Sequence, residues 1–353
     1  MSEPDKLDII AIQQSLLSMR PKERLDALIS RPDAMPVVRA LPAQDVLILI
    51  KDIGITDCLE FLELLSPQQV QEILDLDAWQ GPSIYPTAIG PWLAALHMAN
   101  PRRAAQTFCA LDIALSGFLF KQYTRIYETA DLDNVNDDSS IRSDTPDRHY
   151  TIFFDDSAPE QDLVLFLKQT IEQLYQRDYK FVLRLIETAR FETASMLEEE
   201  ALRWRDGRMQ DMGFPSFDEA SSILAYISPN LPLPQGGRGT KGEGDSSPLP
   251  VPFTIPPDWR NFVVLNRALQ NASDDAKQRF VSEFVNTANC LQLALKQNLG
   301  DSDSLRETVR RVASTIEKAL MHLSKGDDSM LSGLLHLSAR KLFQIGNSLR
   351  RPE

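Results

Sequence analysis

The sequence predicts an all-α protein, an irregular solenoid-like helical array followed by a helical C-terminal module. Apolar residues recur at intervals of three and four over most of the chain, which is the spacing of one helix face. Proline and hydroxyl residues mark many helix starts, and only residues 150–154 have the β-branched and aromatic content of a strand. With 353 residues, 43% of them apolar, the chain is long enough for two domains or one long array.

Residues 1–130 repeat one local device, in which a proline or hydroxyl residue opens a short amphipathic run. Proline suits the first helical turn because its missing N–H would have no intrahelical partner there. The prolines at predicted helix starts are Pro21, Pro32, Pro42, Pro67, Pro91 and Pro101. Ser66 and Gln69 add a capping box around one of these starts. Short helices that each bury one stripe must stack on neighbours, so this region is predicted to be a short-helix superhelical array.

Residues 131–149 interrupt the helical pattern. They contain six aspartates and few apolar residues, which predicts an exposed acidic loop. Residues 150–228 then form a predicted long-helix segment. It begins with the strand at 150–154, and Ser157 with Glu160 is predicted to cap the first long helix.

The long-helix segment ends in a well-marked corner. Gly213 can adopt the left-handed conformation that closes a helix, and Pro215 prevents the helix from continuing. Ser216 and Glu219 have the spacing of a capping box, so a new helix is predicted to begin there.

Residues 229–257 are predicted to be a Pro/Gly-rich linker, because eight prolines and five glycines cannot sustain a regular element. Residues 258–353 resume helical spacing as a C-terminal helical module of about four helices. Ser304 and Glu307 are predicted to cap one of these helices, and Gly326 to end it. The domain boundary is predicted to lie in the linker.

The charge balance argues against a nucleic-acid partner. A net charge of −13 repels a phosphate backbone unless a basic patch is set apart from the acidic bulk. The one basic patch near the C-terminus is too small to reverse this expectation. It consists of Arg340, Lys341, Arg350 and Arg351, set against Glu353.

Cysteine usage and hydropathy favour a cytoplasmic protein. Cys58, Cys109 and Cys290 are odd in number and far apart, so they indicate neither a disulfide framework nor a C-x-x-C metal site. The N-terminus is acidic where a signal peptide would be basic, and no apolar run approaches the roughly 18 residues that a membrane span needs. We therefore predict a soluble cytoplasmic chain with no membrane span.

Two segments match ligand-binding motifs only superficially. Gly237, Gly239 and Gly242 fit G-x-G-x-x-G, but prolines flank the motif where a strand and a helix are required. A calcium loop read from residue 131 has Asn136 in place of its glycine and Arg142 in place of its bidentate glutamate. A weak divalent-cation site remains an alternative for this segment, with Asp131, Asp133, Asp137 and Asp138 as the ligands.

No catalytic, cofactor or metal-ligating residue is predicted. The histidines have no metal-binding spacing, and the nucleophile motif G-x-S-x-G is absent. The four histidines are His97, His149, His322 and His336.

Residues 198–211 are the strongest functional candidate, because charged groups there could hold a charged group of a partner. The candidate partner-binding residues are Glu199, Glu200, Arg203, Trp204, Arg205, Arg208 and Asp211. The simpler interpretation is that these charges form interhelix ion pairs around a buried Trp204, since paired charges are common on long helices. Arg203 lies four residues after Glu199 and three after Glu200, so both pairs fit one helix face. Asp75, Asp77 and Trp79 are likewise interpreted as a helix end and its packing residue.

Residues 65–79, LSPQQVQEILDLDAW, and residues 198–220, EEEALRWRDGRMQDMGFPSFDEA, carry a family resemblance. They resemble the two signature strings of a bacterial family, domain of unknown function six-one-seven-eight, and the resemblance extends over most of the chain. It implies no activity and no catalytic residue. More loosely, the proline-started helices are similar to the cytosolic superhelical domain of the bacterial magnesium transporter. They are also similar to the armadillo-like domain of the flagellar rotor switch protein.

The sequence supports two main hypotheses about function. The first is a protein-interaction scaffold or regulatory adaptor, because stacked helices expose a long surface without needing a catalytic pocket. The alternative is a regulatory domain that responds to divalent cations through its aspartate-rich loop. An enzyme of unrecognised type is a third.

Overall fold

The structure is a computed structural model that describes residues 12, 15, 16, 19–135, 137, 139, 141–228 and 261–349. This part of the chain contains 17 α-helices and two small antiparallel sheets, so the prediction of a mainly helical protein is confirmed. The solenoid-like arrangement stays a prediction. Spatial clustering divides the chain into two compact units, Met1–Arg208 and Met209–Glu353.

The first unit contains most of the helices. In chain order they are α1 (Pro21–Ile29), α2 (Ala34–Ala40), α3 (Ala43–Ile53), α4 (Leu59–Leu62), α5 (Pro67–Asp77), α6 (Pro86–Ala99), α7 (Pro101–Ala110), α8 (Ile113–Tyr123), α9 (Gln161–Arg177), α10 (Tyr179–Phe191) and α11 (Ala194–Asp211). The division between the units falls inside α11, after Arg208.

Local start signals explain several of these helices. The Ser66 hydroxyl accepts a hydrogen bond from the Gln69 backbone N–H at 3.1 Å, and Gln69 Oε1 accepts from the Ser66 N–H at 3.1 Å. This reciprocal pair is the predicted capping box, and α5 begins right after it. Pro101 opens α7 as predicted, whereas Pro91 lies inside α6, which already begins at Pro86. The prediction for Pro91 was therefore wrong.

Ser157 does not cap a helix. Its N–H and hydroxyl both donate to Asp155 Oδ1, at 3.1 and 2.6 Å, so it closes a turn after the last strand. The helix α9 begins only at Gln161. The local competition of an aspartate side chain for the serine overrides the S-x-x-E pattern.

Two small sheets lie in the first unit. Strands β1 (Trp79–Gln80) and β2 (Ser83–Ile84) form a short hairpin around Gly81, whose φ is +63°. The larger sheet has the order β3-β5-β4, with β3 (Thr124–Glu128) and β4 (Ile141–Asp144) both antiparallel to β5 (Tyr150–Phe154). The predicted strand at 150–154 is present and lies at the centre of this sheet.

The segment expected to be an acidic loop differs from that expectation. It contains a 3-10 helix, Thr129–Asn134, and the edge strand β4. Arg125 of β3 binds the Asp137 carboxylate through Nε at 2.7 Å and through Nη2 at 3.0 Å. The guanidinium of β3 thus balances the negative charge of one aspartate. This pairing allows the acidic segment to lie along the sheet.

The core of the first unit contains buried side chains from its helices and from the larger sheet. Phe108 of α7 and Phe166 of α9 are both buried, with ring centroids 5.6 Å apart in an edge-to-face arrangement. Phe154 of β5 and Phe120 of α8 are also fully buried. Gly117 of α8 allows close packing, because a Cβ added there would meet Thr188 Cγ2 at 2.7 Å.

The second unit is helical throughout its described part. Its helices are α12 (Phe217–Ser221), α13 (Val263–Gln270), α14 (Asp274–Ala294), α15 (Ser302–Ser324), α16 (Leu331–Leu334) and α17 (Ala339–Ser348). Phe280, Phe284 and Phe343 are fully buried in its core. The backbone of Gly346 passes so close to α15 that a Cβ there would lie 2.0 Å from the Thr315 carbonyl oxygen.

The predicted corner after α11 is confirmed. Gly213 has a φ of +84°, and the Phe214 N–H donates to the Met209 carbonyl at 2.8 Å. The Ser216 hydroxyl accepts from the Glu219 N–H at 3.3 Å, and α12 begins at Phe217. The cap predicted at Ser304 is displaced, since α15 begins at Ser302 with Asp301 as its N-cap.

Residues 229–257, the predicted linker, lie outside the described residues, and so does the glycine motif at Gly237, Gly239 and Gly242. The domain limits drawn from the sequence stay predictions.

Candidate functional site

The helix α11 has two faces with different roles. Leu197, Ala201 and Arg205 follow one another at intervals of four and are all buried. Glu199, Glu200, Arg203 and Trp204 lie on the remaining surface and are exposed. The candidate residues therefore separate into Arg205, which is buried, Arg208, which is half-buried, and an exposed set. Asp211 is exposed as well and belongs to the second unit.

Arg208 binds a fully buried carboxylate. Its Nε lies 2.5 Å from Asp75 Oδ2 and its Nη2 lies 3.0 Å from Asp75 Oδ1, which is a bidentate pair. The Asp75 side chain, near the end of α5, is 0% exposed. Arg208 Nη1 also reaches Asp112 Oδ2 at 3.3 Å. One arginine thus joins α11 to α5 and to the start of α8.

Arg205 and Gln71 complete this network. Arg205 Nε donates to the Asp75 backbone carbonyl at 2.8 Å, and its guanidinium lies 5.0 Å from the ring centroid of Trp79. Gln71 Nε2 donates to Asp75 Oδ1 at 3.1 Å, and its Oε1 accepts from the Asp112 N–H at 2.8 Å. We call Gln71, Asp75, Asp112, Arg205 and Arg208 the buried network.

Burial and pairing act in opposite directions on the ionisable groups of the buried network. Burial raises the pKa of Asp75, against the opposing effects of Arg208 and Gln71. Burial also lowers the pKa of Arg205. For Arg208, burial is outweighed by the hydrogen bond and charge of Asp75 and by Asp112, so its pKa is raised. The buried carboxylate and the two cations depend on one another, which is the behaviour of a structural ion pair.

Neighbouring contacts hold the same end of α5. Asp77 accepts from Lys51 Nζ at 2.7 Å and from Trp92 Nε1 at 2.8 Å. Glu198 Oε1 accepts from the Ile84 N–H at 2.8 Å, which ties α11 to the β1–β2 hairpin. Asp75 and Asp77 thus serve as a helix end with its packing partners, in agreement with the interpretation from sequence.

The exposed set corrects the expectation for Trp204. This side chain was expected to be buried among ion pairs, but it is 57% exposed. The tryptophan that packs on an arginine is instead Trp79, under Arg205. Within the described part of the chain, Arg203 forms no ion pair with Glu199 or Glu200, although the spacing predicted both. Trp204 therefore presents an aromatic ring to solvent beside charged groups that form no ion pair with each other among the described residues.

Sequence reasoning missed Met196, which is 56% exposed on α11. Met196, Glu200 and Trp204 recur at intervals of four and form one stripe, which we call the α11 stripe. The spacing of two large apolar residues eight apart on a charged helix was the available signal.

The acidic segment does not form a metal site among the described residues. No group of three or more His, Cys, Asp or Glu side chains there is placed to hold a metal ion. Asp137 is paired with Arg125, which lowers the pKa of Asp137 to about 2 through the hydrogen bond to the guanidinium. Asp138 lies outside the described residues. The cation-responsive alternative gains no support here.

None of the described helices combines the length and the apolar character needed to cross a membrane. In the small basic patch, Arg340 is engaged, because its Nη2 donates to the Glu219 carbonyl oxygen at 3.0 Å and to the Ser222 hydroxyl at 2.5 Å. Arg350 and Arg351 lie outside the described residues.

Comparison with known proteins gives one result. A family model described as "Family of unknown function (DUF6178)" matches residues 2–352. The resemblance carried by residues 65–79 and 198–220 is thereby confirmed. No curated protein and no solved structure matches the chain. The looser similarity of the N-terminal helices to the magnesium transporter stays a prediction.

Proposed function

The chain belongs to the DUF6178 family, a family of unknown function, and we propose that it acts as a cytoplasmic protein-interaction scaffold or regulatory adaptor. Its binding surface is the α11 stripe, with Trp204 at the centre. The partner is a protein segment that offers an apolar side chain to Trp204 and basic side chains to the acidic groups around it.

The exposure of Trp204 is the observation that carries this proposal. A tryptophan that is 57% exposed leaves a large apolar area in water, and tryptophan is among the residues most enriched at binding hot spots. Met196 adds a second exposed apolar side chain on the same stripe. Met196 and Trp204 lie two helical turns apart on this face, with Glu200 between them.

The buried network supports the proposal because it fixes the helix that presents this surface. Arg205 and Arg208 hold α11 against α5 through Asp75, within one helical turn of Trp204. A partner would therefore meet a preorganised surface and would not lose affinity to ordering of the helix.

Charge gives the partner its chemical character. Glu200 is exposed one helical turn before Trp204, and the chain has a net charge of −13. Such a surface attracts a basic partner over a distance set by the ionic strength. Lysine or arginine side chains of the partner can also interact with the face of the Trp204 ring.

The structure changes the design of the test. Replacing Arg203, Arg205 and Arg208 together would disrupt the buried network, so loss of binding in that variant would not identify a surface. Trp204→Ala and Glu200→Lys alter only exposed groups. Tyr226→Ala is a matched control, because Tyr226 is an aromatic residue of similar exposure in the second unit.

The experiment begins with affinity purification of the full chain from its native host and identification of co-purified proteins. Each candidate is then purified and titrated against the chain. We expect Trp204→Ala to lower the affinity for the true partner at least about tenfold, as is typical of a hot-spot residue. Glu200→Lys should weaken it as well, and Tyr226→Ala should not. Equal affinity of all four chains would overturn the proposal.

A further inference from the structure

A pocket of about 260 Å³ lies in the first unit between the larger sheet and α9. It is bounded by the end of β4, the turn that follows and one side of α9. Its size is near the lower end of the range for small-molecule sites. The pocket is separate from the buried network and from the α11 stripe.

The floor of the pocket is apolar and rigid. Ile152 of β5 and Ile171 of α9 are both buried, and Pro146 closes the side formed by the turn after β4. Ser143 lies directly opposite Ile152 in the sheet, so its side chain faces the same side. This floor suits the apolar part of a small ligand.

Tyr175 supplies a polar group without a normal partner. Its side chain lines the pocket and is only 8% exposed, yet its hydroxyl forms no hydrogen bond of normal geometry in the described chain. The nearby Thr145 hydroxyl already donates to Asp147 at 2.6 Å and accepts from the Tyr150 N–H at 3.0 Å. Burial raises the pKa of Tyr175 to about 12, so the phenol stays protonated at neutral pH.

The charges around the pocket are of one sign. Glu172 and Asp144 are the charged residues of its lining, and no lysine, arginine or histidine is among the lining residues. Asp144 Oδ1 accepts from the Thr151 hydroxyl at 2.7 Å, whereas Glu172 is exposed on α9 at the pocket. Asp147, beside the same turn, is a third carboxylate close by. An anionic ligand would be repelled here.

We infer that this pocket binds a small organic cation, with an ammonium or guanidinium group directed at Glu172 and an apolar body against Ile152 and Ile171. The inference does not depend on the proposed function, because it uses none of the residues of the α11 stripe.

Three probes of nearly equal shape test the inference: phenethylammonium, neutral 2-phenylethanol and anionic phenylacetate. Each is titrated into the full chain and followed by calorimetry. We expect saturable binding of phenethylammonium with one site per chain, about fivefold weaker binding of 2-phenylethanol, and still weaker binding of phenylacetate. A charge contact at a partly exposed carboxylate contributes on the order of a fivefold change in affinity.

Two variants locate the site. Glu172→Gln should lower the affinity for phenethylammonium about fivefold. Glu187→Gln is a matched change at an exposed glutamate on α10 and should leave this affinity unchanged. Ser143→Phe should block the pocket, and its thermal melt shows whether the fold persists. Binding that is equal for all three probes, absent for phenethylammonium, or unaffected by Glu172→Gln would overturn the inference.

Discussion

Arg208 and Asp75 show how a buried ion pair can fix one helix on another. Asp75 is fully buried, and Arg208 supplies both of its arginine hydrogen bonds to the carboxylate. If Arg208 is removed, the carboxylate keeps the hydrogen bond from Gln71 and the charge of Arg205 nearby, but it loses both of its guanidinium hydrogen bonds. A buried charge without its partner is far more costly than the intact pair is favourable.

We expect Arg208→Ala to lower the free energy of unfolding of the first unit by about 3–5 kcal/mol. Urea-induced unfolding measures this loss. Adding Asp75→Asn to the same chain should recover part of the stability, because it removes the unpaired charge. Arg203→Ala, on the exposed face of α11, is the control and should change stability by less than about 0.5 kcal/mol. If Arg208→Ala behaves like this control, the buried network does not hold the helix.

Asp137 makes a pH-dependent contribution to the stability of the fold. Its hydrogen bond to Arg125 lowers its folded-state pKa to about 2, below the ordinary value of 3.8. The contact therefore stabilises the fold fully above about pH 4, and this stability is lost as the pH falls from 3.8 towards 2. Since the guanidinium is half-exposed, the contribution is about 1 kcal/mol.

We expect Asp137→Asn to melt at a lower temperature than the natural chain at pH 6. The difference between the two melting temperatures should shrink as the pH approaches 2, because the natural carboxylate is then protonated as well. Thermal melts at a series of pH values measure both chains. A difference that stays constant down to pH 2 would show that the ion pair is not its cause.

At the scale of elements, Gly346 sets the distance between α17 and α15. A Cβ at this position would lie 2.0 Å from the Thr315 carbonyl oxygen, and a backbone atom cannot move aside like a side chain. We expect Gly346→Ala to destabilise the second unit by about 1–3 kcal/mol or more through overpacking. Gly333→Ala in α16 is the matched change, because no atom lies within 4 Å of its added Cβ. Chemical denaturation of both variants gives the comparison, and equal stability would contradict the close helix packing.

The start and end signals of elements were largely readable in the sequence. Ser66 with Gln69, and Gly213 followed by Ser216, act through hydrogen bonds that span only a few residues. Such signals depend on the local chain alone. The Ser157 hydroxyl instead donates to Asp155, so the pattern of Ser157 and Glu160 predicted the wrong helix start.

Strands β3 and β4 could not be predicted in the same way. Each pairs only with β5, and Arg125 must reach Asp137 twelve residues away before the acidic segment can lie beside the sheet. The roles of α11 residues depend on still more distant contacts. Arg208 and Asp75 are 133 residues apart, so the sequence around Arg208 does not show that it pairs with Asp75.

In the molecule as a whole, an acidic chain carries a helix that presents the Trp204 ring to solvent. The net charge of −13 favours a basic partner, and its attraction should weaken as salt is added. The apolar contact at Trp204 is much less sensitive to salt. We expect binding to persist at high salt and to be lost in Trp204→Ala. This result would mean that the tryptophan supplies most of the affinity, while the charges mainly raise the rate of association.

The most direct test places a photo-reactive phenylalanine analogue at position 204 in the full chain, in its native host. A crosslink can form only with a molecule that lies against the α11 stripe. We expect a crosslinked product with a specific protein when the analogue replaces Trp204, and none when it replaces Tyr226, an aromatic residue of similar exposure. The same product from both positions, or no product from position 204, would contradict the proposal that this face of α11 binds a protein partner.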